Sequence, residues 1–185
     1  MKTTLKNITT IQTGVFAKPV SKGEIVYLQA KHFDEYGELT DNLYPVLNAD
    51  GKIDKHLLRK GDVLFAAKGT KNFAALFENE NIPAVASTSF FVMRLFDESV
   101  LPGYLTWFLN HPDTQLLLKA KALGTSIPSI SKQVLEALEI TIPTIEIQNA
   151  ILQITKLRNR EKALKQQIEI LREQQIQQQI INSIK

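Results

Sequence analysis

The chain has 185 residues, 22 Lys+Arg against 19 Asp+Glu, a net charge of +3 and no cysteine. That length suits one ordinary domain with an appendage, and 44% hydrophobic with 22% charged residues is a globular composition, not a disordered one. Lack of cysteine excludes disulfides, thiol catalysis and Cys-ligated zinc, and is the usage expected of a cytosolic (cytoplasmic) protein, while +3 is by itself too mild to argue for nucleic acid.

The first residues, Met1 to Gly14, contain no apolar run of the kind a secretory signal needs. No stretch approaches the apolar length that spans a bilayer, so no membrane role is expected. Apolar, β-branched or aromatic runs at 25–30, 63–67, 73–77, 90–95 and 138–142 read as strands. Gly61-Asp62 precedes the second run as a turn, and Gly69 follows it. Pro102 opens a helix through Leu109, because proline at the first helical position is preorganised. A second helix is expected from about Asp113 to Leu123, stopping at Gly124, and a short third one within 131–138.

Composition then changes. From Glu146 onward there is no Gly, no Pro and no aromatic residue, and the whole +3 excess lies in these last 40 residues. Residues 1–145 are neutral, with 15 Lys+Arg and 15 Asp+Glu. Ile147, Ala150, Ile154, Leu157, Leu164, Ile168 and Leu171 follow alternating spacings of three and four, interrupted by Glu161. Ile176, Ile180, Ile181 and Ile184 form a shifted stripe, as a stutter produces. The reading is an α+β fold: a mixed α/β domain over 1–144 and one long coiled-coil helix over 145–185, capped at Thr144. A helix of that length reaches roughly 60 Å. Its seam needs a partner helix, or else a return onto its own domain.

Chemistry-bearing motifs are sparse. No dinucleotide fingerprint, Walker loop, nucleophile elbow or Asn/Asp-Pro-Pro-aromatic motif occurs, and His32, His56 and His111 lack metal-ligand spacing. Acidic pairs such as Asp34-Glu35 and Asp97-Glu98 sit in loop-like contexts and read as solvated charge. Polar loops remain. Lys68-Gly69-Thr70-Lys71-Asn72, between two strands, offers cations, a hydroxyl and an amide. These suit phosphates and base edges, and equally an ordinary polar hairpin. Thr13-Gly14 with Lys18 and Lys22, the stretch Ser87-Thr88-Ser89, and Gly124-Thr125-Ser126-Ile127-Pro128-Ser129 are further candidates.

In this order the pieces resemble one half of the DNA specificity subunit of type I restriction–modification systems. The match is strongest over Gly124-Thr125-Ser126-Ile127-Pro128-Ser129-Ile130-Ser131 and then Ile142-Pro143-Thr144-Ile145-Glu146-Ile147-Gln148-Asn149-Ala150-Ile151, although a second proline usual in the latter stretch is missing. Leu57 to Gly69, containing Gly61-Asp62, is similar to the family's Gly-Asp strand and loop. Ile8 to Gly14 and the helix from Pro102 to Asn110 also fit it.

The resemblance implies a non-catalytic target-recognition domain that binds double-stranded DNA, with a long helix as spacer and docking rod. It implies DNA contact through Lys18, Lys22, Lys68, Thr70, Lys71, Asn72, Thr125, Ser126 and Ser129. Ile147, Ile154, Leu157, Leu164, Ile168 and Leu171 would serve pairing and docking. Family members usually carry two such domains and two helices, so a chain with one of each is expected to pair with a second copy. No cofactor is expected in this chain. S-adenosylmethionine would belong to a partner modification (methyltransferase) subunit that methylates adenine, and cleavage to a restriction (translocase-endonuclease) subunit. The alternatives are a coiled-coil adaptor whose domain binds protein, which the neutral 1–145 region keeps open, and an enzyme with an unobvious carboxylate site.

Overall fold

The computed structural model describes residues 1–34, 37–40, 43–69, 72–79, 81–122 and 128–184. The chain forms two compact units, Met1–Ile145 and Glu146–Lys185.

Three small sheets build the first unit. Strands β1 (Lys2–Thr4) and β9 (Glu139–Thr141) pair antiparallel, so the two ends of the unit are stitched together. The four-stranded antiparallel sheet contains β2 (Thr9–Thr13), β5 (Val63–Ala66), β6 (Ala74–Leu76) and β8 (Phe90–Leu95), in the order β2-β8-β5-β6. The three-stranded sheet contains β3 (Ile25–Leu28), β4 (Pro45–Leu47) and β7 (Ala84–Ala86). There β3 is central, antiparallel to β4 and parallel to β7.

Alternation of side chains along the strands decides what the core contains. Val26 and Leu28 of β3, Ala84 and Ala86 of β7, Leu64 and Ala66 of β5, Ala75 of β6 and Phe90 of β8 form one buried cluster with Phe73 and Phe77. The opposite face of β3 and β7, with Ile25, Tyr27 and Val85, packs with Leu47 under Val15, Ala17, Val46, Ile53 and Leu57. Both faces of β3 and β5 are therefore covered. This is why their sequences are continuously apolar and not alternating. Rings of Phe33, Phe73 and Phe90 meet with centroids 5.6–6.0 Å apart, two of the three pairs edge-on.

Helix α1 (Pro102–Asn110) starts on its proline and packs beside β5 and β6, and α2 (Pro112–Ala120) packs on α1. The second helix begins at Pro112 because the side chain of His111 caps it by accepting from the Asp113 N–H. It ends at Ala120, short of the expected Leu123, with Lys121 as its C-cap; Gly124 lies outside the described residues. Ser131 caps α3 (Lys132–Glu136) by accepting from the Val134 N–H. The strand at 25–30 ends early, at Leu28. Gln29 caps a 3-10 turn (Ala30–His32), and His32 Nδ1 accepts from the Gln29 N–H.

The second unit is helical: α4 runs without interruption from Ile145 to Ile184, 40 residues. Among the described residues no helix is long and apolar enough to cross a membrane.

Candidate functional site

Antiparallel pairing puts the end of β2, the start of β8, the end of β5 and the start of β6 at one end of the four-stranded sheet. Thr13 lies opposite Phe91, Ala66 opposite Phe90, and Phe65 opposite Ala74. Polar loops that are far apart in sequence therefore emerge side by side.

Backbone hydrogen bonds then tie these loops to one another. The Gly14 N–H donates to Phe90 O (3.0 Å) and the Val15 N–H to Ala86 O (2.8 Å). The Ala67 N–H donates to Ser89 O (3.0 Å). Beyond β5, residues 67–69 pair with 128–130: Ile130 N–H donates to Ala67 O (2.9 Å), Gly69 N–H donates to Pro128 O (3.1 Å), and Lys68 bridges Ser129 antiparallel. Described parts of the four polar stretches meet here: Gly14, residues 87–89, Lys68-Gly69 and Pro128-Ser129. The contact between 67–69 and 128–130 joins segments about 60 residues apart, which no local pattern reveals.

Two glycines make the approach feasible. A Cβ on Gly14 would lie 2.2 Å from Ser87 O, so only glycine lets residues 13–15 lie against 86–87. Gly69 has φ +111°, a conformation that turns the chain out of the pairing with Pro128 and that side-chain-bearing residues rarely adopt. The hydroxyl of Ser87 is buried beneath this junction with no hydrogen-bond partner among the described residues.

The individual candidates differ in their surroundings. Lys18, Lys22 and Lys68 are exposed. Ser129 is half-buried within the pairing to Lys68. Asn72 is half-buried and its Nδ2 donates to Ala66 O (2.9 Å), closing the hairpin whose strands also pair through Ala66 N–H and Phe73 O. Its amide donor thus has a structural partner. Thr70, Lys71, Thr125 and Ser126 lie outside the described residues. On α4, Ile147, Ile154, Leu157, Leu164, Ile168 and Leu171 are between 48% and 67% exposed, an apolar stripe open to solvent and broken at Glu161.

Two supports were not evident from the sequence. Asn110, the last residue of α1, clamps the outer edge of β6: its Oδ1 accepts from Ala74 N–H (2.7 Å) and its Nδ2 donates to Ala74 O (2.8 Å). This replaces a missing neighbour strand at the root of the 67–73 loop. At the other end of the sheet, Arg94 of β8 grips Asp62 before β5. Nε donates to Oδ1 (2.7 Å), Nη2 donates to Oδ2 (2.6 Å), and Nη2 also reaches Leu57 O (3.3 Å). Asp62 additionally accepts from the Arg59 N–H (2.8 Å). The carboxylate beside it raises the Arg94 pKa above the ordinary guanidinium value, so the guanidinium is charged throughout the physiological range. No cluster of three or more His, Cys, Asp or Glu that could hold a metal occurs among the described residues.

Comparison with known proteins places this geometry in a family. A family model described as the type I restriction modification DNA specificity domain matches residues 4–180. No curated protein sequence matches the chain. Among solved structures, the type I restriction-modification S subunit from M. genitalium is 20% identical with a TM-score of 0.61, over 94% of this chain and 42% of that one. The HsdS subunit from Thermoanaerobacter tengcongensis is 24% identical with a TM-score of 0.63, over 90% of this chain and 44% of that one. A chain from a structure concerned with complex assembly and conformational transition of the type I R-M system is 17% identical with a TM-score of 0.63, over 90% and 40%. At these identities the likeness is one of fold. The chain spans about two fifths of the length of each of these structures. With 4–180 covered by one family model, and with the mixed-sheet domain and long helix it shares with these S subunits, the chain belongs to the type I restriction modification DNA specificity domain family.

Proposed function

We propose that this chain is a sequence-reading subunit of a type I restriction–modification complex, pairing with a second copy of itself. The observation that carries this reading is the convergence of segments 14–15, 67–69, 86–90 and 128–130, with Lys68 exposed, at one end of the four-stranded sheet. A preorganised cluster of donors and cations on short loops suits reading base edges and holding phosphates of double-stranded DNA. Residues 1–145 carry no net charge, so DNA contact is local to these loops and partner subunits supply much of the phosphate binding.

The exposed stripe of α4 supports pairing with α4 of a second copy, antiparallel, which two-fold symmetry makes the simplest closed arrangement. Two identical domains at the ends of a rod read two inverted half-sites separated by an unread spacer, and rod length sets spacer length. The remaining faces of α4 dock modification subunits, which bind S-adenosylmethionine and methylate adenine after flipping it from the duplex. A restriction subunit cuts. This chain performs no chemistry itself.

The test is to assemble the full chain with a modification subunit and map methylated adenines. Methylation at one recurrent, split and inverted sequence is expected. Methylation at no recurrent sequence overturns the assignment, and indifference to duplex at low salt, even when assembled, favours a protein-binding adaptor. Leu164→Glu places a charge in the stripe and is expected to convert dimer to monomer in sedimentation; a dimer that survives it contradicts the proposed seam.

A further inference from the structure

A groove beside the loop cluster carries an inference that rests on the DNA-binding reading and extends it to Phe16 and Lys52, which have no role so far. Its walls are residues 14–20 on one side and 47–56 on the other, including Phe16, Lys18, Val20, Lys52 and His56. Gly14 and His56 also line a smaller adjoining cleft with Gln12, Thr13, Lys55 and Arg94, so the groove is continuous with the loop end of the sheet.

Phe16 is the unusual member. Of the nine phenylalanines, it is the most exposed at 78%, while Phe65, Phe73, Phe77 and Phe90 are core residues. It is not exposed by looseness. Buried Tyr27 spans it from beneath, its hydroxyl donating to Val15 O (3.0 Å) and accepting from Ala17 N–H (3.4 Å). Val15 is paired with the Ala86–Ser87 backbone, and the Val20 N–H donates to Val46 O (2.7 Å). The backbone on both sides of Phe16 is thus fixed while its ring stands in water. A rigidly presented apolar ring avoids the ordering cost that a flexible one meets on binding.

The charge around it is mainly positive, two lysines to one carboxylate. Lys18 and Lys52 flank the groove, and the one carboxylate lining it, Asp50, is engaged by its own turn, accepting from the Lys52 N–H (2.7 Å) and Ile53 N–H (2.9 Å). Those backbone donors hold the Asp50 carboxyl below its ordinary pKa. An apolar wedge between cations matches the chemistry of duplex DNA, whose base steps accept inserted apolar side chains and whose phosphates lie on both sides.

We propose that this groove is a second contact with duplex DNA, in which Phe16 wedges against a base step while Lys18 and Lys52 hold the flanking phosphates. The wedge bends the duplex toward the loop cluster and so couples reading of the half-site to the deformability of its neighbouring step.

The full chain assembled with its modification subunit is titrated with its target duplex over a salt series, with 2-aminopurine placed in turn at each step of the half-site and its flank. In the wild-type assembly, one step brightens on binding besides the adenine flipped for methylation. Phe16→Ala is expected to lose that signal and weaken binding about tenfold, within the range for removing one aromatic–base contact. Lys18→Gln with Lys52→Gln is expected to lower the salt slope by about 2 with the target unchanged. Thermal unfolding checks that both variants keep the wild-type midpoint, and Phe16→Trp restores binding if the ring acts as a wedge. If the wild-type assembly binds its target but no position other than the flipped adenine brightens, or if both variants bind with wild-type affinity and slope, the groove proposal is overturned and the DNA-reading assignment stands. If the wild-type assembly binds no DNA, both fail together.

Discussion

The two ends of the four-stranded sheet contain similar residue types put to opposite uses. At the β5 entrance, Asp62 is 1% exposed and Arg94 30%, and both oxygens of the Asp62 carboxylate are held by protein donors. At the β5 exit, Lys68 is exposed and its backbone, not its charge, is what the fold engages. A charge with a fixed internal partner stabilises the fold and has little left to offer a ligand. A charge left in water adds little stability and remains available to a phosphate. One end of the sheet is therefore a hinge pin and the other a contact surface, although a composition count cannot tell them apart.

Substitutions can break this comparison, and those with the largest expected effect on folding lie at the closed end. Asp62→Ala leaves Arg94 without its bidentate partner and the Arg59 N–H without an acceptor. A loss of about 3 kcal/mol is expected, toward the lower end for a broken buried pair because Arg94 keeps some solvent. In thermal unfolding this is a drop of about 10 °C, with no change in DNA target. A wild-type midpoint would show that the ion pair is ornamental.

Asn110→Ala removes two hydrogen bonds from the edge of β6 and is expected to cost about 2 kcal/mol in urea unfolding. Because Ala74 roots the 67–73 loop, weaker DNA binding should accompany it. Asn110→Asp, which keeps the acceptor but not the donor, falls between. Asn72→Ala opens the hairpin at Ala66 O, with about 1 kcal/mol lost and relaxed sequence choice in methylation mapping. An unchanged target places specificity outside this hairpin. Lys68→Ala is expected to leave stability within about 0.5 kcal/mol while lowering the salt slope of DNA binding by about 1 for all sequences alike. If Lys68→Ala instead destabilised the fold as Asp62→Ala does, the distinction between the two ends would collapse.

Legibility in the sequence followed how local each feature is. The runs that became β3, β5, β6, β8 and β9 were visible because they concentrate apolar and β-branched residues, and α1 because Pro102 marks its start. Strands β1, β4 and β7 were not: each has three residues, too short for any period to show, and β7 is Ala-Val-Ala. Strand β2 is Thr-Thr-Ile-Gln-Thr, polar enough to read as loop until β8 pairs with it. For the site, the chemistry of each loop was readable but their meeting was not. Phe16 escaped notice because a single phenylalanine in a loop carries no pattern until its exposure is seen.

By itself, the sequence determined the class of the fold, the long helix, and the separation of a neutral domain from a basic rod. These depend on composition and on periods of two and of three to four residues, which are local quantities. Only tertiary structure decided that 67–69 pairs with 128–130, that Asn110 guards β6, and that Asp62 is locked while Lys68 is open. Those outcomes depend on strand order and register. Order and register are settled by packing two sheets on one core, so they are written in no single segment of the chain.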